Sequence, residues 1–362
     1  MGATATVELY YTAQADGDGY AESAESDTAT TGFDIRRKLY YAESAQSDPD
    51  TGTWVQFADI ADDTTFASAK ATLLAYLKAR TGGTVPISLK MTWEEVSEYT
   101  PLLDTYTGAA AAYSLRQLRT GETQAIRVRR ASDNTEQDIG FDGSGELDTT
   151  ALATFCGSSD GFVRTFFDQS GNGRDFAQGS TAEQPKIYDG TTGIVTDNAK
   201  PAMQFDGAND NFNSTSALTN DTNFFGAVVM SVSGGSAMFL VYDSNNAGRL
   251  GLVYYAGVST SYTPELWSGF NRESSGQSIS INTQTIITSH KSGTQAECFA
   301  NGQSNGASTV NDPTTSMGGL SFGRYANNYF TGKLQEIIFY GDDQSSDRAN
   351  IETNLNDFYS AF

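Results

Sequence analysis

The sequence predicts a mainly β protein, in which an antiparallel β-sandwich follows a small α+β domain. The 362 residues include 36 Gly but 7 Pro, together with many Ser, Thr and Asn, a composition typical of tight turns between short strands. Apolar residues make up 38%, with 21 Phe and 18 Tyr, which is enough for a packed core. The length favours two domains, and we predict them at residues 1–103 and 104–362.

The first domain combines strand-like runs with one amphipathic segment. The runs 7–11 and 38–41 share the triplet Leu-Tyr-Tyr, and apolar residues at helical spacing between 66 and 80 predict a helix before a strand at 85–93. One helix on a small sheet can bury a modest core. Because no catalytic motif is present, we predict an anchoring or assembly domain, with a plain structural appendage as the alternative.

The second domain begins with a mixed region and continues as a series of strands. In the first part, the patterns predict helices at 109–119 and 148–155 and strands at 125–129 and 162–167. Alternation places Arg127 and Arg129 on one strand face, where pairing with Asp133, Glu136 or Asp138 is favoured over contact with a partner. Further strands are predicted at 202–205, 225–232, 237–242, 250–255, 285–289, 297–300, 320–323 and 333–340. A helix from about Ser346 ends the domain.

The charge and the cysteines exclude several classes of partner and site. A net charge of −22 repels nucleic-acid phosphates and anionic membrane surfaces, so we expect neither partner. No apolar run is long enough to span a bilayer, and the start lacks the pattern of a signal peptide. Cys156 and Cys298 are far apart and form no CxxC motif, which argues against zinc. Two buried free thiols are favoured over a disulfide.

Polar loops and aromatic side chains supply the candidate binding residues. Asp206, Asn209 and Asp210 form an oxygen-rich loop and a candidate calcium site, although Asx turns explain the loop equally well. Asp168 and Asn172, in Asp168-Gln169-Ser170-Gly171-Asn172-Gly173, could bind sugar hydroxyls or could close a tight turn. Sugar rings stack on exposed aromatic side chains, and the candidates in polar segments are Trp267, Phe270, Tyr325 and Tyr329.

Five sequence segments together resemble a known module. They are Ala112-Tyr113-Ser114-Leu115-Arg116, 125–130, 168–173, 200–207 and 332–340. With these segments, residues 104–362 resemble the concanavalin A-like (laminin G-type) sandwich, an antiparallel jelly roll of two sheets, and within it the catalytic domains of the α-L-arabinofuranosidase B family. Similar modules occur in bacteriophage virion proteins and bacterial surface proteins.

The resemblance implies carbohydrate recognition and, in the arabinofuranosidases, retaining hydrolysis by two carboxylates. The segment that bears the family's nucleophile falls on Asn246-Ala247-Gly248, and Gly248 has no carboxylate. Asp312 falls near the acid/base position, and the family's vicinal cysteine pair has no counterpart. These departures favour binding without cleavage.

The leading hypothesis from the sequence is therefore a non-enzymatic structural or adhesion protein, a fibre, spike or decoration protein on the surface of a phage virion. Its sandwich would bind a cell-surface glycan or polysaccharide, while residues 1–103 would attach to other virion proteins. We expect a homo-oligomer, because virions array identical copies. Calcium is the one candidate cofactor. The alternatives are a glycoside hydrolase of arabinofuranosidase type and an architectural protein without a ligand.

Overall fold

The chain divides into two compact units, Met1–Tyr99 and Thr100–Phe362. A computed structural model describes the strands of the first unit and most of the second unit. The described ranges are 6–12, 34–42, 55–60, 87–96, 100–217, 223–234, 238–243, 250–255, 260–268, 271–310, 319–325 and 328–362.

The first unit contains a four-stranded antiparallel sheet. Its strands are β1 (Thr6–Thr12), β2 (Asp34–Ala42), β3 (Val55–Ile60) and β4 (Ile87–Val96). The spatial order is β1-β4-β2-β3, so the two strands with the Leu-Tyr-Tyr triplet both pair with β4. The helix predicted at 66–80 lies outside the described residues.

The first half of the second unit carries ten short strands and two helices. The helices are α1 (Leu102–Thr105) and α2 (Thr149–Cys156). The strands are β5 (Ala109–Ser114), β6 (Ile126–Arg130), β7 (Glu136–Ile139), β8 (Gly161–Phe166), β9 (Phe176–Ala177), β10 (Lys186–Asp189), β11 (Gly193–Ile194), β12 (Thr196–Asp197), β13 (Lys200–Pro201) and β14 (Met203–Asp206).

The second half carries fourteen strands among its described residues and ends in a helix, α3 (Arg348–Tyr359). Its strands are β15 (Phe212–Ala217), β16 (Asn223–Gly234), β17 (Met238–Asp243), β18 (Leu250–Tyr255), β19 (Ser261–Ser268), β20 (Asn271–Ser274), β21 (Ile279–Ser280), β22 (Thr285–Ser292), β23 (Gln295–Ala300), β24 (Ser308–Thr309), β25 (Gly319–Phe322), β26 (Arg324–Tyr325), β27 (Asn328–Tyr329) and β28 (Thr331–Tyr340).

One sheet, β5-β28-β16-β22-β23, has apolar side chains buried on both faces. In β16, Val228 and Met230 join the core cluster that also holds side chains of β6, β8 and β19. The alternate residues Ala227 and Val229 join a second cluster, in which they meet α3. Strands that are buried on both faces have nearly continuous apolar sequences, as β16 does. The predicted mainly β antiparallel sandwich is confirmed.

One predicted helix is wrong. The alanine-rich segment predicted as a helix at 109–119 forms β5, which pairs with β28 through Ala112 opposite Ile338 and Tyr113 opposite Ile337. Alanine has the highest helix propensity, but propensity is a weak preference, and burial between two apolar clusters outweighs it here. The small side chains suit this position, since Ala111 and Ala112 are fully buried.

A buried ion pair joins β5, β28 and α3. Arg116 Nε and Nη2 donate to the two carboxylate oxygens of Glu336 at 2.8 and 3.1 Å, and both side chains are 1% exposed. Ser114 Oγ and Tyr359 OH also donate to Glu336 Oε2, at 2.7 and 2.9 Å. The Glu336 carboxylate of β28 is thus hydrogen-bonded by β5, by Arg116 just after β5 and by the helix, as a buried charge requires.

The other arginines of this region pair within the protein. Arg127 donates to both carboxylate oxygens of Asp138 at 2.6 and 2.8 Å, as internal pairing predicts. Arg129 instead donates to the Gln184 side chain at 2.7 Å and to the Thr181 carbonyl at 3.1 Å. Cys156 and Cys298 are both buried and free. Within the described ranges, no helix is long and apolar enough to cross a membrane.

We expect Gly207→Ala to lower the free energy of unfolding by about 1–3 kcal/mol. Gly207 has φ +77°, and a Cβ atom there would lie 1.9 Å from Thr331 Oγ1, so the backbone would be strained and Thr331 would have to move. Urea unfolding of the full chain measures the change. The control is Gly121→Ala, at φ +88° with no atom within 4 Å of the added Cβ. Equal losses in the two variants would contradict the predicted clash.

Candidate functional site

A polar cavity of about 540 Å³ opens where β8, β10 and β14 lie side by side. Lys186 on β10 pairs with Phe162 on β8 and with Gln204 on β14, so neighbouring strands bring these three residues together. The cavity is lined by Phe162, Thr181, Ala182, Gln184, Lys186, Asp189, Gln204, Asp206 and Asp210. It therefore combines an aromatic ring, two amides, an ammonium group and three carboxyl groups.

Asp210 lies in the cavity wall as a buried carboxyl group. Its side chain is 5% exposed, and its Oδ2 accepts the Asp206 backbone N–H at 2.8 Å. Burial above all, and then the neighbouring carboxyl groups of Asp206 and Glu183, raise the pKa of Asp210 from 3.8 to about 7. Near neutral pH, a substantial fraction of Asp210 is therefore protonated and can donate a proton.

Asp189 lies in the wall of the same cavity as an ionised carboxylate. Its Oδ1 accepts the backbone N–H groups of Thr191 and Thr192 at 3.0 and 3.1 Å, and its Oδ2 accepts Lys186 Nζ at 3.1 Å. The bond from Thr191, followed by those from Lys186 and Thr192, lowers the pKa of Asp189 to about 2. Two carboxyl groups whose environments push their pKa values apart are the arrangement that divides acid and base roles.

Lys186 and Phe162 are neighbouring residues in the wall of the cavity. Lys186 Nζ bridges Asp189 and Asp160, with the Asp160 Oδ2 contact at 2.8 Å, and this bond raises the pKa of Lys186. The half-buried Phe162 ring lies 5.0 Å from the Arg129 guanidinium and 5.8 Å from Lys186 Nζ, measured from the ring centroid. An aromatic ring beside oriented polar groups suits a sugar, whose C–H face stacks on the ring.

The predicted calcium residues form part of this cavity. Asp206 Oδ1 accepts the backbone N–H groups of Ala208 and Asn209 at 2.7 and 3.2 Å, which is the Asx-turn arrangement. Among the described residues, no group of three or more His, Cys, Asp or Glu side chains is placed to hold a metal. Calcium at Asp206, Asn209 and Asp210 stays a prediction. The same short loop instead brings Asp206 and Asp210 to the cavity.

The other predicted polar residues, Asp168 and Asn172, form hydrogen bonds with the backbone of β5. Asp168 Oδ1 accepts the Ala112 N–H at 2.9 Å, and its Oδ2 accepts the Arg174 N–H at 2.9 Å. Asn172 Nδ2 donates to the Ala109 and Ala110 carbonyls at 3.0 and 3.1 Å. Neither residue lines the cavity. Sugar binding by Asp168 and Asn172 stays a prediction.

The predicted aromatic platforms are placed only in part. Tyr329 lies in β27, with the Arg324 guanidinium 5.5 Å from its ring centroid. Trp267 and Tyr325 lie in β19 and β26, but their side chains are outside the described part of the chain, as is all of Phe270. Residues 246–248 and Asp312, to which the resemblance assigned the catalytic positions, are outside it as well.

Little in the sequence points to Asp189 or Lys186 as site residues. Tyr188-Asp189-Gly190-Thr191 reads as an ordinary hairpin turn, and its only unusual feature is a carboxylate followed by two threonines whose N–H groups it binds. Lys186 reads as one exposed charge on a short strand. Their common site depends on the antiparallel pairing of β8, β10 and β14, which a local pattern does not contain.

Solved structures share the fold of this chain. A GH54 α-L-arabinofuranosidase soaked with a cyclic sulfate inhibitor is similar with a TM-score of 0.57 and 15% identity. An arabinofuranosidase complexed with arabinofuranosyl-α-1,2-xylobiose has a TM-score of 0.53 and 18% identity. Each comparison covers 70% of this chain but 64% of the other, so this chain spans less than two thirds of their length. No family model and no curated protein matches the sequence.

These comparisons correct the leading hypothesis from the sequence. A non-enzymatic virion adhesion protein is contradicted, because arabinofuranosidases are among the solved structures that share the fold, and they favour the alternative of a glycoside hydrolase. The resemblance to the sandwich of the arabinofuranosidases is confirmed at the level of the fold. The link with bacteriophages, virion-protein partners for residues 1–103 and a homo-oligomer find no support in them.

Proposed function

We propose that the second unit is a glycoside hydrolase whose active site is the cavity between β8, β10 and β14. One observation supports this proposal most directly: the cavity wall holds both a carboxyl group with a pKa near 7, Asp210, and a carboxylate with a pKa near 2, Asp189. Glycosidic bond cleavage needs one carboxylic acid and one carboxylate, in separate environments.

In this proposal, Asp210 protonates the glycosidic oxygen as the sugar–oxygen bond breaks. Its raised pKa keeps a proton available near neutral pH, which is the requirement for a general acid. Asp189 remains ionised and faces the positive charge that develops on the sugar ring, either as the nucleophile or as the base that activates water. Lys186 is a positioning residue, since it holds Asp189 Oδ2 from one side.

The proposed substrate class is the α-L-arabinofuranoside, as a side chain of a plant polysaccharide or in an aryl glycoside. This choice rests on the shared fold with arabinofuranosidases, one of them complexed with arabinofuranosyl-α-1,2-xylobiose. The cavity is compatible with a single sugar unit, because small-ligand pockets measure about 300–1,000 Å³. In this proposal the sugar contacts the Phe162 ring and the Gln204 amide, which line the cavity.

The test is hydrolysis by the full chain of 4-nitrophenyl α-L-arabinofuranoside and of arabinan, with release of nitrophenol and arabinose as the readouts. We expect turnover by the natural sequence and a loss of about 100-fold or more in kcat/KM for Asp189→Asn, because a neutral amide cannot stabilise the positive transition state. The matched control is Asp142→Asn: Asp142 Oδ1 also accepts two backbone N–H groups, at 2.8 and 3.0 Å, but lies outside the cavity.

Two results would overturn the proposal. Absence of turnover on both substrates, by a chain shown to be folded, would contradict hydrolysis of arabinofuranosides. Turnover that survives Asp189→Asn but disappears in Asp312→Asn would locate the chemistry elsewhere, at the position the sequence resemblance assigns to the acid/base.

A further inference from the structure

The loop between β9 and β10, residues 178–184, forms one wall of the cavity between β8, β10 and β14. It supplies Thr181, Ala182 and Gln184, three of the nine residues that line the cavity. The loop contains neither helix nor strand, and Thr181 and Ala182 are exposed. Surface loops are ordinarily more mobile than the elements they connect. Whether this wall is a fixed surface therefore depends on the contacts that hold it.

Arg129 anchors the loop from β6. Its Nε donates to Gln184 Oε1 at 2.7 Å and its Nη2 donates to the Thr181 carbonyl at 3.1 Å, so one guanidinium group holds two points of the loop. Its Nη1 donates to Asn134 Oδ1 at 3.0 Å, and the whole side chain is buried. Three donors on one rigid plane make these bonds, and a lysine ammonium group does not reproduce that geometry.

The same guanidinium group contacts the aromatic ring of the cavity. Arg129 on β6 lies directly opposite Phe162 on β8, and its guanidinium carbon is 5.0 Å from the ring centroid. A cation over an aromatic face at this distance is attracted to it. Arg129 therefore contacts both the loop and the ring, although it does not itself line the cavity.

Buried amide groups hold the two ends of the loop together. Gln178 Oε1 accepts the Ser180 N–H at 2.9 Å, and the Gln178 carbonyl accepts Gln184 Nε2 at 2.8 Å. Asn211 donates its backbone N–H to the Glu183 carbonyl at 3.1 Å and its Nδ2 to Glu183 Oε2 at 3.0 Å. The wall is thus preformed, and a ligand would not have to order it.

The exposed part of the loop presents the groups that a sugar can reach. The Thr181 hydroxyl group has no hydrogen-bond partner within the described part of the chain, and the neighbouring Ala182 methyl group is exposed. A hydroxyl group that both donates and accepts, beside a methyl group, matches the hydroxyl and C–H groups of a sugar. The Gln184 amide is buried and already hydrogen-bonded, so it shapes the wall without contacting the sugar.

We propose that the β9–β10 loop is the sugar-binding wall of the cavity, in which Thr181 and Ala182 contact the sugar and Arg129 is the positioning residue that holds them. This inference rests on the proposed function, since it takes the cavity as the place where the sugar binds. Asp210 keeps its own bond to the Asp206 N–H, at 2.8 Å. Loosening the loop should therefore weaken binding of the sugar more than it slows bond cleavage.

The first experiment measures kcat and KM of the full chain on 4-nitrophenyl α-L-arabinofuranoside, and the Kd of L-arabinose by saturation-transfer NMR. Thr181→Val removes one exposed hydroxyl group with little change of shape. We expect KM and Kd to rise about three- to tenfold, the effect of losing one hydrogen bond, with kcat and Tm unchanged. The matched control is Thr150→Val, at an exposed position on α2 outside the cavity, which should leave KM and Kd as they are.

The second experiment uses Arg129→Lys to test the positioning role. We expect KM to rise about tenfold or more while kcat changes by less than about threefold, because the loop must then be ordered by the sugar. Amide hydrogen exchange in residues 178–184 should become faster. The matched control is Arg127→Lys, since Arg127 lies on the same strand face but pairs with Asp138 outside the cavity. A purely structural role for Arg129 would lower Tm without separating KM from kcat.

The outcomes distinguish this inference from the hydrolase assignment. If the natural sequence cleaves the glycoside but Thr181→Val and Arg129→Lys keep its KM and Kd, the inference is overturned and the assignment stands. If L-arabinose binds without any turnover of the glycoside, and Thr181→Val weakens that binding, the loop contacts the sugar and the assignment fails. If L-arabinose does not bind and the glycoside is not cleaved, both are overturned.

Discussion

Replacing Glu336 with Gln is expected to lower the free energy of unfolding by about 3–5 kcal/mol, the effect of removing one partner of a buried ion pair. Arg116 would keep its positive charge at 1% exposure but lose the carboxylate that binds it, since the bidentate contact at 2.8 and 3.1 Å would be lost. Tyr359 would lose its charged acceptor too, so α3 should loosen from the sheet. Urea unfolding followed by circular dichroism measures the loss, and limited proteolysis reports the release of α3.

The matched control is the exposed pair of Arg127 and Asp138, whose side chains are 39% and 29% exposed. Asp138→Asn should cost less than about 1 kcal/mol, because water screens this pair. The double replacement Arg116→Met with Glu336→Leu should recover much of the loss, since an apolar pair needs no solvation. If Glu336→Gln cost no more than Asp138→Asn, the buried pair would not hold the helix.

Strands β16 and β28 of the sheet β5-β28-β16-β22-β23 could be predicted, because burial on both faces requires a nearly continuous apolar sequence. The predicted strands 225–232 and 333–340 correspond to β16 (Asn223–Gly234) and β28 (Thr331–Tyr340). The prediction of a helix at 109–119 was wrong because this segment lacks such a distinctive sequence. Alanines have little side chain with which to express a pattern, and the pairing of β5 with β28 is a contact more than 200 residues away along the chain.

The site was harder to predict than the fold. The oxygen-rich loop drew attention to Asp206 and Asp210, but the same composition suits a metal, a turn or a buried acid. What distinguishes these possibilities is burial, which raises the pKa of Asp210, and burial depends on the packing of distant strands. Asp189 and Asp197 each end a short strand before a polar turn, so the sequence does not distinguish them. In the structure, both Asp189 oxygens accept hydrogen bonds, whereas Asp197 Oδ2 is buried without a partner among the described residues.

Asp210→Asn should lower kcat/KM on an aryl arabinofuranoside by about 10²–10⁴-fold, the usual contribution of a general acid. In the natural sequence, kcat/KM should fall as the pH rises above about 7, where Asp210 loses its proton. The variant should lack this decline because its amide does not titrate. A measured alkaline limb that persists unchanged in Asp210→Asn would assign the acid role to another group.

The raised pKa of Asp210 also predicts how the free energy of unfolding depends on pH. Its pKa is higher in the folded protein, at about 7, than the 3.8 of an exposed aspartate, so folding favours the protonated form. The resulting stabilisation is complete below about pH 4 and is lost as the pH rises to about 7. At ~1.4 kcal/mol per pKa unit, the loss is on the order of 4 kcal/mol. Asp210→Asn should not show this loss.

Urea unfolding of the natural sequence and of Asp210→Asn, at a series of pH values, tests this pH dependence of stability without any substrate. The difference in unfolding free energy between Asp210→Asn and the natural sequence should shift in favour of the variant as the pH rises from about 4 to 7. Asp142→Asn, at an exposed turn, should run parallel to the natural sequence over that range. If Asp210→Asn also ran parallel, Asp210 would titrate as an ordinary aspartate and could not supply a proton near neutral pH. Hydrolysis would then require a different acid, whatever the assay on arabinofuranosides had shown.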